Sequence, residues 1–93
     1  MKTITLSNGF KCKVNENVAN DMDLITLLRE TKDDATAYVD VVEKIFGDQT
    51  KKLYDSIRTK DGVVPMATLD GVEYSVTDAV TEVLTALGPE GKN

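Results

Sequence analysis

Residues 33–61 read DDATAYVDVVEKIFGDQTKKLYDSIRTKD, and the fold turns on how this stretch is divided. Ala35, Tyr38, Val39, Val42, Ile45 and Phe46 recur at helical spacing. With Val41 they fill an apolar stripe roughly 160° wide. Thr36, Asp40, Glu43 and Lys44 take the opposite side. Asp33 is the expected cap, and Asp34 falls in the first turn, where the helix dipole favours negative charge. Gly47 predicts a left-handed stop. A second helix restarts from Asp48, with Leu53, Tyr54 and Ile57 inward and Lys51, Lys52, Arg58 and Lys60 outward, until Asp61-Gly62. The spacing therefore predicts helices over 33–46 and 48–60. A connection this short makes them a corner or an antiparallel pair.

Upstream, residues 2–14 (KTITLSNGFKCKV) alternate like a β-hairpin around Asn8-Gly9. A two-residue loop would set Leu6 opposite Lys11 and mix the faces. A three-residue Ser7-Asn8-Gly9 loop pairs Leu6 with Phe10 and Ile4 with Cys12, and a one-residue slip reverses every side chain. The three-residue loop is therefore expected, giving an apolar face of Ile4, Leu6, Phe10, Cys12 and Val14. Two strands are not stable alone, so that face must lie on helices or another chain. A helix is predicted over 15–31, with Asn20 and Asp23 as an approximate capping box and Leu24, Ile25, Leu27 and Leu28 on its apolar side.

Downstream, residues 63–74 (VVPMATLDGVEY) admit two readings. Pro65 can open a short helical turn, which is preferred, or Asp70-Gly71 can turn a second hairpin. The last helix, 75–87, has Ser75 as its cap and Asp78 three positions on. Val76, Ala79, Val80, Val83, Leu84 and Leu87 keep a regular helical period. Residues 88–93 read as a loose tail. Together these elements predict one compact α+β domain, mainly α: an N-terminal β-hairpin followed by about four short helices.

The chain has 93 residues, 41% of them hydrophobic and none of them Trp, so its core must be modest and largely aliphatic. The net charge of −5 is unevenly placed. Residues 1–60 carry ten acids and ten bases; residues 61–93 carry six acids against Lys92 alone. Nucleic-acid binding needs a dominant basic face and is not expected. The acidic end reads as a solvated face or as a docking face for a basic partner. Cys12 cannot form an internal disulfide and fits a reduced, intracellular setting. No apolar run approaches the ~18 residues of a membrane span, and no secretory signal is visible.

Chemistry is hard to place. There is no His, the commonest general base and metal ligand. The carboxylate pairs Asp21/Asp23 and Asp33/Asp34 fall at helix starts, where capping accounts for them. No phosphate loop or EF-hand spacing occurs. No catalytic, cofactor-binding or metal-binding residue is expected, and the protein is not expected to be an enzyme. Asp55-Ser56-Ile57 resembles the phosphopantetheine site of acyl carrier proteins. Here, however, Ser56 lies inside a predicted helix and is followed by basic rather than acidic residues.

Taken in order, several pieces resemble the short tail assembly chaperones of long-tailed phages. They are the I-x-L-S-N-G-F hairpin (Ile4–Phe10), a helix ending in leucines (Leu24–Leu28), Phe46-Gly47-Asp48-Gln49, Leu53-Tyr54, Asp61-Gly62-Val63-Val64-Pro65, a final amphipathic helix and a Gly-Lys-Asn ending. The chain departs from that pattern at Phe46-Gly47, where Leu-Gly is usual, and in the additional stretch Asp70–Tyr74. The resemblance implies a non-catalytic protein of the host cytoplasm, without cofactor, that self-associates. It implies binding to the tape measure protein, recruitment of the major tail protein as the tube polymerises, and absence from the mature virion. Glu90-Gly91-Lys92 and Lys92-Asn93 can be encoded by repetitive runs on which a ribosome slips, which suits a programmed frameshift but equally a plain soluble tail. A head–tail joining subunit is the alternative. Tyr38, Val42, Phe46, Leu53, Tyr54 and Ile57 form the expected inner surface of the central helix pair. Any partner contact belongs to its exposed margin, where the hairpin or last helix leaves it uncovered.

Overall fold

The N-terminal alternation builds the hairpin with the register that the three-residue loop requires. In the computed structural model, which describes residues 1–88, β1 (Lys2–Thr5) and β2 (Lys11–Val14) pair antiparallel, with Ile4 opposite Cys12. The Leu6 N–H donates to the Phe10 carbonyl at 2.8 Å and the Gly9 N–H to the Leu6 carbonyl at 2.9 Å. Gly9 takes φ 92°, as a glycine bulge requires. Ile4, Leu6, Cys12 and Val14 are buried and Phe10 partly so.

The segment after the hairpin differs from the single helix expected over 15–31. It divides into a 3-10 turn (Val18–Asn20) and helix α1 (Met22–Glu30), with extended backbone at Asp21 between them. Local side-chain capture is the reason. The Asn15 amide oxygen accepts the Asn17 N–H at 2.9 Å, and the Asp21 carboxylate accepts the Asp23 N–H at 2.9 Å. Asp21, not Asn20, is the cap. That bond and the Lys44 ammonium, 3.2 Å away, hold the Asp21 carboxyl below its ordinary range.

The central pair begins and ends later and earlier than its periodicity suggests. Helix α2 spans Ala37–Phe46 rather than 33–46. Asp33 caps nothing; the Asp34 carboxylate instead accepts the Thr36 N–H at 3.0 Å and its hydroxyl at 2.5 Å, folding 31–36 into turns. Gly47 does stop the helix at positive φ, but its angles (55°, −128°) lie outside the left-handed helical basin. A 3-10 turn over Gly47–Gln49 then leads into α3, Thr50–Ile57 rather than 48–60. Asp48 is exposed and does not cap α3; the Thr50 hydroxyl bonds the Gly47 carbonyl at 2.7 Å. Past Ile57, a turn held by Thr59 and Val63 redirects the chain.

Neither expected form of 63–74 occurs: this stretch contains no helix and no strand. Its carbonyls serve the last helix instead. The Val76 N–H donates to the Pro65 carbonyl and the Thr77 N–H to the Met66 carbonyl, both at 3.0 Å. These bonds satisfy N–H groups that a helix start leaves orphaned. Helix α4 (Val76–Leu87) is capped by Ser75 and Asp78 in a reciprocal capping box, as their spacing predicts. The proposed tail lies outside the described residues apart from Gly88.

The core is continuous. Val14, Leu24, Val41, Val42, Phe46, Leu53, Val80 and Val83 pack with the apolar hairpin face. Burying side chains such as Phe46 and Leu53 stabilises the fold by about 1.5–3 kcal/mol each. The molecule is thus a compact α+β domain, mainly helical, with its hairpin serving as one wall of the core. Among the described residues, no helix is long and apolar enough to cross a membrane.

Candidate functional site

The six residues expected to form the inner surface of the central pair do not share one fate. Val42, Phe46, Leu53 and Ile57 are buried in the core; Phe46 and Leu53 present almost no surface to a partner. Tyr38 and Tyr54 are only partly buried. They meet at the margin of the pair, in an apolar cleft of about 260 Å³. Its lining is Ala35, Tyr38, Val39, Val42, Tyr54, Val64, Met66 and Val76, which includes three of the six.

Each wall of the cleft has a local cause. Helix α2 supplies Tyr38, Val39 and Val42, because an apolar stripe this wide exceeds what one neighbouring layer covers. Val39 is left 50% exposed. The opposite wall is the irregular 64–66 segment. Its Pro65 and Met66 carbonyls are tied to the start of α4, while the Thr68 hydroxyl donates to Asp78 at 2.6 Å. Pinned on both sides, the segment presents Met66, 48% exposed, to the cleft. Val63 and Leu69 on the same segment are also exposed.

Both cleft tyrosines have phenol pKa values raised above the ordinary value. Burial is the main cause for each, and a carboxylate adds to it: Asp78 for Tyr38 and Glu43 for Tyr54. The apolar lining therefore has acidic neighbours. Residues 61–88 carry five acids and no base, so the acidic end of the sequence contributes one wall.

The two clefts of greatest volume among the described residues have mixed linings. One, of about 730 Å³, lies between the 16–28 region and the end of α4. The other, of about 580 Å³, is bordered by Asn8, Ser56, Arg58, Asp61 and Tyr74. In it the Ser56 hydroxyl donates to the Leu53 carbonyl at 2.7 Å and accepts from the Asn8 amide at 3.2 Å. Ser56 sits near the end of α3, not at a helix start as in a carrier protein. Tyr74 places its hydroxyl in the interior, with no partner at hydrogen-bonding distance among the described residues. Burial, and then the nearby Glu82 carboxylate, push that phenol far above its usual range. No group of three or more His, Cys, Asp or Glu among the described residues could hold a metal ion.

Sequence periodicity placed Ala35, Tyr38, Val39, Val42, Tyr54 and Val76 on apolar helix faces, but it missed Val64 and Met66 and did not bring these faces together in one cleft. The only available signals were the excessive width of the α2 stripe and an apolar run at 63–66 that fits no regular element. Comparison with protein-family models, curated proteins and solved structures gives no match.

Proposed function

We propose that the protein is a non-catalytic binding protein that holds an apolar helical segment of a partner in the cleft between α2, α3 and residues 64–66. The carrying observation is the cleft itself: eight lining residues without a formal charge, two of them half-exposed, on a domain of only 93 residues. Such a cleft admits side chains spaced i, i+3 and i+4 along one face of a partner helix. The resemblance supplies the biological setting. The order of the Ile4–Phe10 hairpin, Phe46-Gly47-Asp48-Gln49 and Asp61–Pro65 supports a tail assembly chaperone of a long-tailed phage. Its partner is then the tape measure protein, kept soluble in the host cytoplasm while major tail protein polymerises around it.

The test is co-expression with tape measure fragments. Wild-type protein should keep them soluble. Val39→Asp and Met66→Asp should lose that effect while retaining native circular dichroism, because both sites are half-exposed. An unchanged insoluble fraction with and without the wild-type chain sinks the reading. Recovery of the chain in purified virions would favour a head–tail joining subunit instead.

A further inference from the structure

The two edges of the hairpin are finished differently. On β2, Lys13 turns its N–H and C=O away from β1, and the Gln49 amide takes both. Gln49 Oε1 accepts from the N–H at 2.8 Å and Nε2 donates to the carbonyl at 2.7 Å. One side chain thus stands in for a residue of a third strand. On β1 nothing does so. Leu6 is bonded to Phe10 through the backbone, so antiparallel alternation makes Ile4–Cys12 the next bonded pair. Thr3 and Thr5 must then direct their N–H and C=O outward. Those groups have no partner among the described residues.

Beyond this edge lies a cleft of about 360 Å³ whose far wall is α4, through Thr81, Glu82, Thr85 and Ala86. Three of these side chains are short, so the helix flanks the edge without filling the space beside it. The ends of the cleft carry opposite charges. Glu82 accepts the Ser7 N–H at 2.8 Å at one end, and Lys2 donates to the Ala86 carbonyl at 3.3 Å at the other. This cleft shares no lining residue with the apolar one.

We infer that the β1 edge is a docking site for an extended segment of a partner protein, which adds to the hairpin as a third strand between β1 and α4 and sets a basic side chain against Glu82. Unpaired backbone groups at alternate residues select an extended chain, whereas a helix would leave them unsatisfied. Charge fixes the ends: Glu82, which holds the Ser7 N–H, favours a base, while Lys2 favours an acid opposite. A second copy of this chain fits less well. Antiparallel pairing of β1 with another β1 would bring both α4 helices to one junction. Helix axes need about 8–10 Å, whereas paired strands lie about 4.8 Å apart.

The probe is the capped peptide acetyl-Glu-Val-Thr-Val-Lys-amide, titrated at millimolar concentration into the isotope-labelled full chain. The amide resonances of Thr3 and Thr5 should shift and their exchange should slow, with residues 35–42 unchanged. Thr5→Pro removes an outward donor and no ladder bond, and should weaken binding about fivefold or more. Glu82→Gln should erase the preference for this peptide over one ending in Glu. Should Thr5→Pro disturb the fold, a peptide N-methylated at alternate residues replaces it and should fail to bind. The inference is overturned if Thr3 and Thr5 do not respond, if the N-methylated peptide binds equally well, or if the shifts fall in the apolar cleft. Shifts at Thr3 and Thr5 that follow protein concentration without peptide would assign the edge to a second copy and overturn it too.

Discussion

Three backbone groups converge on the side-chain amide of Gln49: the N–H and C=O of Lys13, and the Phe46 carbonyl at 3.1 Å. This one residue ties the hairpin to the junction of the central helices. Gln49→Ala leaves those groups to water or to nothing and should cost about 1–2 kcal/mol in urea unfolding. Gln49→Glu keeps the acceptor for Lys13 but turns a carboxylate toward two carbonyl oxygens. It should cost more than the alanine change at neutral pH. The sign follows from proton linkage: the folded protein favours the protonated carboxyl, its folded pKa is raised, and the penalty shrinks as pH falls through it. A pH-independent loss would argue against this geometry. Gln49 was visible in the sequence only as part of a motif, because its main partner is 36 positions away.

Helix starts show where local chemistry is legible and where it is not. Ser75 and Asp78 sit three apart before a regular apolar run, and the capping box forms as read. Asp33 and Asp48 stood in equally suitable positions, yet Asp34 and the Gly47–Gln49 turn took the backbone groups first. The α4 start also gains what no local pattern contains. Thr68 donates to Asp78, Ser75 is fully buried, and the carbonyls of Pro65 and Met66 close the first turn. The Thr68 hydroxyl, followed by Ser75, holds the Asp78 carboxyl below its ordinary 3.8. Its folded pKa being depressed, the stabilisation is present above about pH 4 and is lost as pH falls through the lower folded value. Asp78→Asn should therefore cost about 1 kcal/mol at neutral pH and flatten the acid limb of the stability curve. An acid limb identical to the wild type would refute the assignment.

Across the whole molecule the stability of a small domain, about 5–15 kcal/mol, rests on one core with a thin margin. Leu53→Ala removes a fully buried side chain and should cost about 2–5 kcal/mol. Val39→Asp, one turn before Val42 on α2, should cost well under half as much, because Val39 faces the open cleft. Thermal unfolding of the two variants separates core from margin. Equal losses would show that Val39 is structural and would remove the main support for a binding cleft. The same contrast distinguishes a partner effect from a folding effect in the co-expression test.

The sequence by itself determined the elements whose cause is local. Alternation and Asn8-Gly9 specified the hairpin and its register. Periodicity specified four amphipathic helices, and Gly47 and Ser75 two of their boundaries. The remaining boundaries were decided by competition among nearby side chains for the same backbone groups, which spacing alone does not resolve. Only the tertiary structure decided what 63–74 becomes, since its carbonyls find their partners at the start of α4. Only it separated Tyr38 and Tyr54 from Phe46 and Leu53, residues alike in pattern. The 33–61 stretch offers a continuous apolar stripe, but exposure is set by where other layers end. Periodicity reports which side of a helix is apolar; how far that side is covered depends on residues distant in the chain.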